Sequence, residues 1–206
     1  DDVDASGVQA LRIAKSATND HYWLGYRKSH NNLITYNYGA YLLWERYTSE
    51  NEDNNKSWLI DTTPGSADGK DDAPLRLGRT YADSASDVYT TVTDVSDSEG
   101  DEYIDVVVNI GPFAVNSAPA LTLSGPTSTD ARQAVLFSVD ATDADGDTLA
   151  YAWDLGDGSV PANAPSITHS WTVGGTYTVS LTVSDMKGGS TTVSQSVTVT
   201  DPLQSW

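Results

Sequence analysis

The sequence contains no cysteine among its 206 residues. This absence excludes disulfide bonds, thiolate zinc sites and a thiol nucleophile. Histidine occurs only at His21, His30 and His169, and none of the three belongs to a His-Glu-x-x-His sequence, the pattern that binds zinc in many peptidases. The Gly-x-Ser-x-Gly pattern of serine hydrolases is also absent. We therefore expect this chain to be non-catalytic.

Basic residues are scarce, since 11 Lys and Arg stand against 29 Asp and Glu, which gives a formal net charge of −18. Such a chain is repelled by nucleic-acid phosphates and by anionic membrane surfaces. No run of 18 apolar residues is present, so no membrane-spanning helix is predicted. We expect neither nucleic acid nor a membrane as partner. No signal peptide is recognised, and the abrupt ends at Asp1 and Trp206 lead us to expect a fragment of a longer protein.

Short strand-like segments separated by turn residues fill the chain, and no segment has helical periodicity with caps at both ends. The predicted fold class is all-β, with two tandem β-sandwich domains at residues 1–112 and 116–201 and a Gly-Pro-rich junction between them. Strands are predicted over residues 8–13, 21–27, 41–46, 58–61, 79–81, 88–95 and 103–110, and then over 121–123, 134–140, 149–154, 166–171, 176–185 and 191–200.

Residues 140–158 form the most informative stretch. Leu149, Tyr151 and Trp153 alternate with smaller or polar residues, which predicts a strand with Trp153 in the core. His169 and Trp171 are expected to pack as well, and Tyr177 stands at the spacing of a tyrosine corner. In the first domain, core positions are predicted for three tryptophans: Trp23, Trp44 and Trp58.

The acidic loop Asp143-Ala-Asp145-Gly-Asp147 places three carboxylates on alternate residues, which can converge on a hard cation. An EF-hand is excluded because Thr148 stands where glycine is needed and Asp154 where a bidentate glutamate is needed. From the residues alone, a cation site and a solvated Asx turn both remain open. A second acidic loop, with Asp68, Asp71 and Asp72, is interpreted as a solvated turn.

Several motifs resemble those of polycystic-kidney-disease (PKD) domains over about residues 116–201. They are Asn116-Ser-Ala-Pro119, Trp153-Asp-Leu-Gly-Asp-Gly158, His169-Ser-Trp171 and the strand from Gly175 to Asp185. The resemblance implies an Ig-like β-sandwich of extracellular proteins, often beside the catalytic domain of a secreted hydrolase. PKD domains of bacterial collagenases bind a structural calcium ion, and the resemblance implies such an ion here. The positions of this sequence that match its ligands are Asn116, Ser117, Asp143, Asp145 and Asp185. Asp147 is expected to cap the turn instead.

Residues 7–112 resemble the β-sandwich region that follows the catalytic domain in secreted zinc metallopeptidases of the gametolysin and immune inhibitor A type. The motifs are Gly7–Ile13, Tyr22–Arg27, Leu59–Gly65 and Leu77–Tyr81. Together the resemblances imply a non-catalytic accessory part of a secreted bacterial metallopeptidase. It would position the catalytic domain of the parent chain or bind an insoluble protein such as collagen. The alternatives are a structural spacer or adhesion module of a cell-surface protein and, more weakly, a carbohydrate-binding module of a polysaccharidase.

Overall fold

The computed structural model describes residues 10–15, 20–26, 39–45, 57–64, 66, 73–98 and 101–202. Across these ranges the ordered secondary structure is β, which confirms the predicted fold class of tandem β-sandwiches with an Ig-like second domain. No helix in the described ranges is long and apolar enough to cross a membrane. The chain divides into two compact units, Asp1–Arg76 with Tyr81–Pro112 and Leu77–Thr80 with Phe113–Trp206. The domain limits 1–112 and 116–201 stay a prediction.

The described residues of the first unit form two sheets. One has the order β1-β2-β3-β4, with β5 also paired to β3, and all of these pairings are antiparallel. The other has the order β6-β7-β8 and contains a register shift between Val92 and Asp94. The strands are β1 Ala10–Ala14, β2 His21–Tyr26, β3 Gly39–Glu45, β4 Ser57–Leu59, β5 Leu75–Arg76, β6 Thr80–Asp83, β7 Val88–Ser98 and β8 Asp101–Ile110.

Alternate side chains of these strands supply the core of the first unit, since successive residues of a strand point to opposite faces. The largest fully buried apolar side chains are Leu42, Leu75, Val88 and Val92. The predicted core position of Trp58 is wrong, because its side chain is 61% exposed. It stands on the three-residue strand β4, opposite Trp44 in the register.

Trp23 and Trp44, which were predicted in the core, are only half-buried, and each donates a hydrogen bond through its indole N–H. Trp23 Nε1 donates to Glu45 Oε2 at 2.6 Å, and Trp44 Nε1 donates to Asp20 Oδ2 at 3.2 Å. The amphipathic indole thus lies partly inside and partly at the surface. The predicted strand residues 8, 9, 27 and 46 and the second acidic loop with Asp68, Asp71 and Asp72 lie outside the described residues.

A polar cluster joins the end of β1 to β6 in the first unit. Lys15 Nζ lies 3.0 Å from Asp83 Oδ2, and the Tyr22 hydroxyl donates to the same carboxylate at 2.6 Å. Burial and the hydrogen bond with Asp83 raise the pKa of Tyr22 far above its ordinary value. Burial alone would raise the pKa of Asp83, but hydrogen bonds from Tyr22, Lys15 and Ser86 and the Lys15 charge lower it to about 2.

The second unit is a sandwich of two sheets with the orders β10-β15-β14-β12 and β13-β11-β9. All pairings are antiparallel except that of β10 with β15, which is parallel. The strands are β9 Ala120–Ser124, β10 Ser128–Asp130, β11 Val135–Thr142, β12 Ala150–Asp154, β13 Ser166–His169, β14 Gly175–Ser184 and β15 Ser190–Thr200.

The core of the second unit contains both of its described tryptophans. Trp153 is 8% exposed, which confirms its predicted core position, and its Nε1 donates to the Ala164 carbonyl at 2.9 Å. Trp171 is fully buried and packs edge-on against His169 at 4.8 Å between ring centroids. Tyr177 stacks on Trp171, and its hydroxyl donates to the Val173 carbonyl at 3.0 Å. This bond to a backbone position four residues upstream is the geometry of a tyrosine corner.

The inside-outside alternation predicted for β12 is only half right. Ala150 and Ala152, the small residues that alternate with Tyr151 and Trp153, are buried as well, at 0% and 9% exposure. A Cβ atom on Gly78, which groups with the second unit, would lie 2.0 Å from the Tyr151 carbonyl oxygen, so backbone covers this strand closely.

Candidate metal site

Three segments distant in sequence meet at one end of the second unit. They are the entry around Asn116 and Ser117, the loop between β11 and β12, and the turn between β14 and β15. Thr142 at the end of β11 pairs with Ala120 at the start of β9. Ala150 at the start of β12 pairs with Ser184 at the end of β14. The register of the strands therefore brings the three segments to a common edge of the sandwich.

Asp143 organises the acidic loop. Its Oδ1 accepts the backbone N–H of Asp145 at 2.9 Å and that of Asp147 at 3.1 Å, and Gly146 turns the chain with a φ of 74°. The residue that caps this turn is thus Asp143, and the prediction that Asp147 does so is wrong. Asp143 Oδ2 is buried and has no hydrogen-bond partner. A buried carboxylate oxygen without a partner is costly unless a donor or a cation reaches it.

Asp185, which follows β14, is 1% exposed. Its Oδ1 accepts the backbone N–H groups of Lys187 at 2.7 Å and Gly189 at 3.0 Å, and its Oδ2 accepts a hydrogen bond from Asn116 Nδ2 at 2.6 Å. A Cβ atom on Gly189 would lie 2.1 Å from Asp185 Oδ2. Glycine at 189 is therefore required for the close approach of the turn to this carboxylate.

The remaining pair links Ser117 to Asp145, since the Ser117 backbone N–H donates to Asp145 Oδ2 at 2.7 Å. Hydrogen bonds therefore link the five residues predicted from the sequence in two groups, Asn116 with Asp185, and Ser117 with Asp145 and Asp143. Their carboxylates bind N–H donors rather than one another, and no three Asp, Glu or His side chains within the described ranges form a group that could hold a metal. Repulsion between like charges favours such an arrangement when no cation separates them.

Lys187 is the residue of this site that the sequence analysis missed. Its ammonium group is hydrogen-bonded to Asp147 Oδ1 and lies 5.4 Å from the centre of the Phe113 ring. The hydrogen bond to Asp147 raises the pKa of Lys187, and the charges of Asp147, Asp185 and Asp143 act in the same direction. The available signal was its position two residues after Asp185, in a half of the chain with only one other base, Arg132.

The residue types at this site fit calcium. Ca²⁺ prefers carboxylate, amide and backbone oxygens, and Asp143, Asp145, Asp185 and Asn116 offer these in the three segments. The orphaned Asp143 Oδ2 is an oxygen for which the protein itself supplies no partner. Asn116 now presents its amide nitrogen to Asp185, and rotation of the amide exchanges that nitrogen for an oxygen.

The fold and this arrangement of turns define the second unit as an Ig-like β-sandwich domain. Residues 116–200 match the family model described as the PKD domain, so this part of the chain belongs to the PKD family, as its motifs predict. The first unit lies outside that match, and its resemblance to a region of zinc metallopeptidases stays a prediction.

Comparison with curated proteins finds a collagenase and a metalloprotease. Collagenase ColA of Clostridium perfringens is 34% identical over 88 residues, which cover 42% of this chain and 8% of that protein. Pre-pro-metalloprotease PrtV of Vibrio cholerae is 42% identical over 62 residues, which cover 30% of this chain and 7% of that protein. The matched residues thus span less than a tenth of these relatives.

Among solved structures, the PKD1 domain of Vibrio anguillarum Epp is 36% identical to this chain, with a TM-score of 0.37. The match covers 42% of this chain and 99% of that domain.

Proposed function

We propose that this chain is a non-catalytic accessory part of a secreted bacterial metallopeptidase. The observation that carries the proposal is the similarity of the PKD domain to segments of a collagenase and of PrtV. The absence of zinc-peptidase, thiol and serine-hydrolase patterns from the sequence agrees with it. The function of such a part is to position the catalytic domain of the parent chain or to bind an insoluble protein such as collagen.

Binding to an insoluble protein requires an exposed surface, and aromatic side chains dominate the energetics of such surfaces. Of the tryptophans in the described ranges, Trp58 is the exposed one. It is accordingly the first side chain to test as part of a substrate-binding surface.

The test is co-sedimentation of the full chain with insoluble collagen fibrils, with cellulose and chitin as comparison solids. We expect retention on collagen, and a lower retained fraction for Trp58→Ala. Tyr103→Ala, which removes another partly exposed aromatic ring of the same unit, is the matched control. If the protein stayed in the supernatant with collagen, cellulose and chitin alike, a binding role would be contradicted and the spacer function favoured. Retention on the two polysaccharides alone would favour a carbohydrate-binding module.

We further propose that the PKD domain carries a structural calcium ion held by Asn116, Ser117, Asp143, Asp145 and Asp185. When bound, calcium neutralises the carboxylates and satisfies the buried Asp143 Oδ2. Because the ligands come from three segments, binding stabilises the folded state relative to the unfolded chain. Mass action gives about 2.7 kcal/mol at a free calcium concentration 100 times the dissociation constant.

Thermal melts of the full chain with calcium and with excess chelator test the site. Wild type should melt at a higher temperature with calcium, and the double variant Asp143→Ala with Asp145→Ala should lose this difference. Magnesium should stabilise less, because it demands a smaller octahedral shell. Asp130→Ala with Asp140→Ala removes two exposed carboxylates from strands of the same unit and should keep the calcium response. Identical wild-type melts in both buffers would remove calcium from the proposal.

A further inference from the structure

Lys187 contacts two of the three segments that form the candidate metal site, and it also contacts Phe113, which precedes the third. Its backbone N–H donates to Asp185 Oδ1 at 2.7 Å, and its ammonium group binds Asp147 in the acidic loop. The same ammonium lies over the ring of Phe113 at 5.4 Å, just before the entry segment. The Lys187 cation thus ties the β14–β15 turn to the acidic loop, which are two of the segments that a bound metal ion would link.

The charge around Lys187 is strongly negative. Asp143, Asp145, Asp147 and Asp185 belong to the same loop and turn, and Lys187 is the basic residue among them. The other base of the second unit, Arg132, pairs with Asp201. These two residues lie near the start of β14, whereas Lys187 follows its end, and a strand of ten residues separates the two places by about 30 Å.

We propose that the Lys187 ammonium is an internal counter-ion that competes with calcium for this site. In the metal-free protein it offsets the repulsion between the carboxylates and holds Asp147 against the β14–β15 turn. In the metal-bound protein the same positive charge opposes the incoming divalent cation, since like charges at short range repel. Lys187 therefore lowers the affinity for calcium and reduces the dependence of the fold on it. This inference rests on the calcium site proposed above.

The test compares Lys187→Met with Lys187→Arg in the full chain. Methionine keeps most of the aliphatic length and removes the charge, whereas arginine keeps the charge. Arg132→Met is the matched control, because it changes the net charge equally at the far end of the same unit. Calcium binding is measured by titration calorimetry on protein freed of metal by chelator, and metal-free stability by calorimetric melts in chelator.

Lys187→Met should bind calcium about tenfold more tightly than wild type, a size typical of a nearby unit charge. It should also melt at a lower temperature in chelator and show a larger upward shift with calcium. Lys187→Arg and Arg132→Met should bind calcium as wild type does.

Equal calcium affinity of wild type and Lys187→Met would overturn the role of Lys187 and leave the calcium site intact. An equal rise in affinity for Lys187→Met and Arg132→Met would also overturn it, since net charge alone would then be responsible. If no variant binds calcium, the calcium site itself is wrong, and competition by Lys187 falls with it.

Discussion

Truncation of Trp153 gives the sharpest test of the second sandwich. Its side chain is 8% exposed and packs in the core with residues of β14 and β15. Replacing a buried large aromatic by alanine leaves a cavity and costs about 3–5 kcal/mol. The variant also leaves the Ala164 carbonyl without its indole donor, which adds about 1 kcal/mol. For a domain of this size the sum lowers the midpoint temperature of thermal unfolding by at least about 16 °C.

Differential scanning calorimetry of the full chain measures this shift, with Trp58→Ala as the matched control. Trp58 is 61% exposed, so its removal should change stability by less than about 0.5 kcal/mol. Leu42→Ala, which truncates a fully buried side chain of the first unit, identifies the transition that belongs to that unit. If Trp153→Ala shifted its transition no more than Trp58→Ala shifts its own, the assigned burial of Trp153 would be wrong.

Three further changes test other parts of the structure. Asp83→Asn should destabilise the first unit by about 2 kcal/mol at pH 7, because the folded pKa of about 2 lies below the ordinary carboxyl pKa of 3.8. In wild type the same contribution to stability should fade as the pH falls from about 4 towards 2, and urea melts across this range check both expectations. Tyr177→Phe removes the bond to the Val173 carbonyl and should cost about 1 kcal/mol in urea melts, whereas no change would argue against a tyrosine corner. Gly189→Ala should destabilise the second unit by about 1–3 kcal/mol in thermal melts, because its Cβ would lie 2.1 Å from Asp185 Oδ2. Gly25→Ala is the control and should not destabilise the first unit, because the space around its new methyl group is open. Equal losses of stability in the two variants would contradict the close approach at Gly189.

The strands of the second unit were largely predictable because their signal is local. In β14, Val179, Leu181 and Val183 are buried and alternate with more exposed Ser and Thr residues, as the period of two predicts. Predicted ends differ from observed ends by a residue or two, as at β13, which ends at His169 rather than Trp171. Strands β5 and β10 were missed because two or three residues carry no periodicity.

The sequence by itself determined which residue types stand at the candidate metal site, because the acidic loop and the PKD motifs are contiguous in the chain. Tertiary structure decided what those residues do. Asp143 rather than Asp147 caps the turn, and Lys187 reaches Asp147 across 40 residues of sequence. It also decided that Trp58 is exposed while Ala150 is buried, since burial depends on what covers each face of a strand. The period of the sequence predicts which residues of a single strand share a face. The contacts of a side chain depend in addition on the pairing of segments that are distant in sequence.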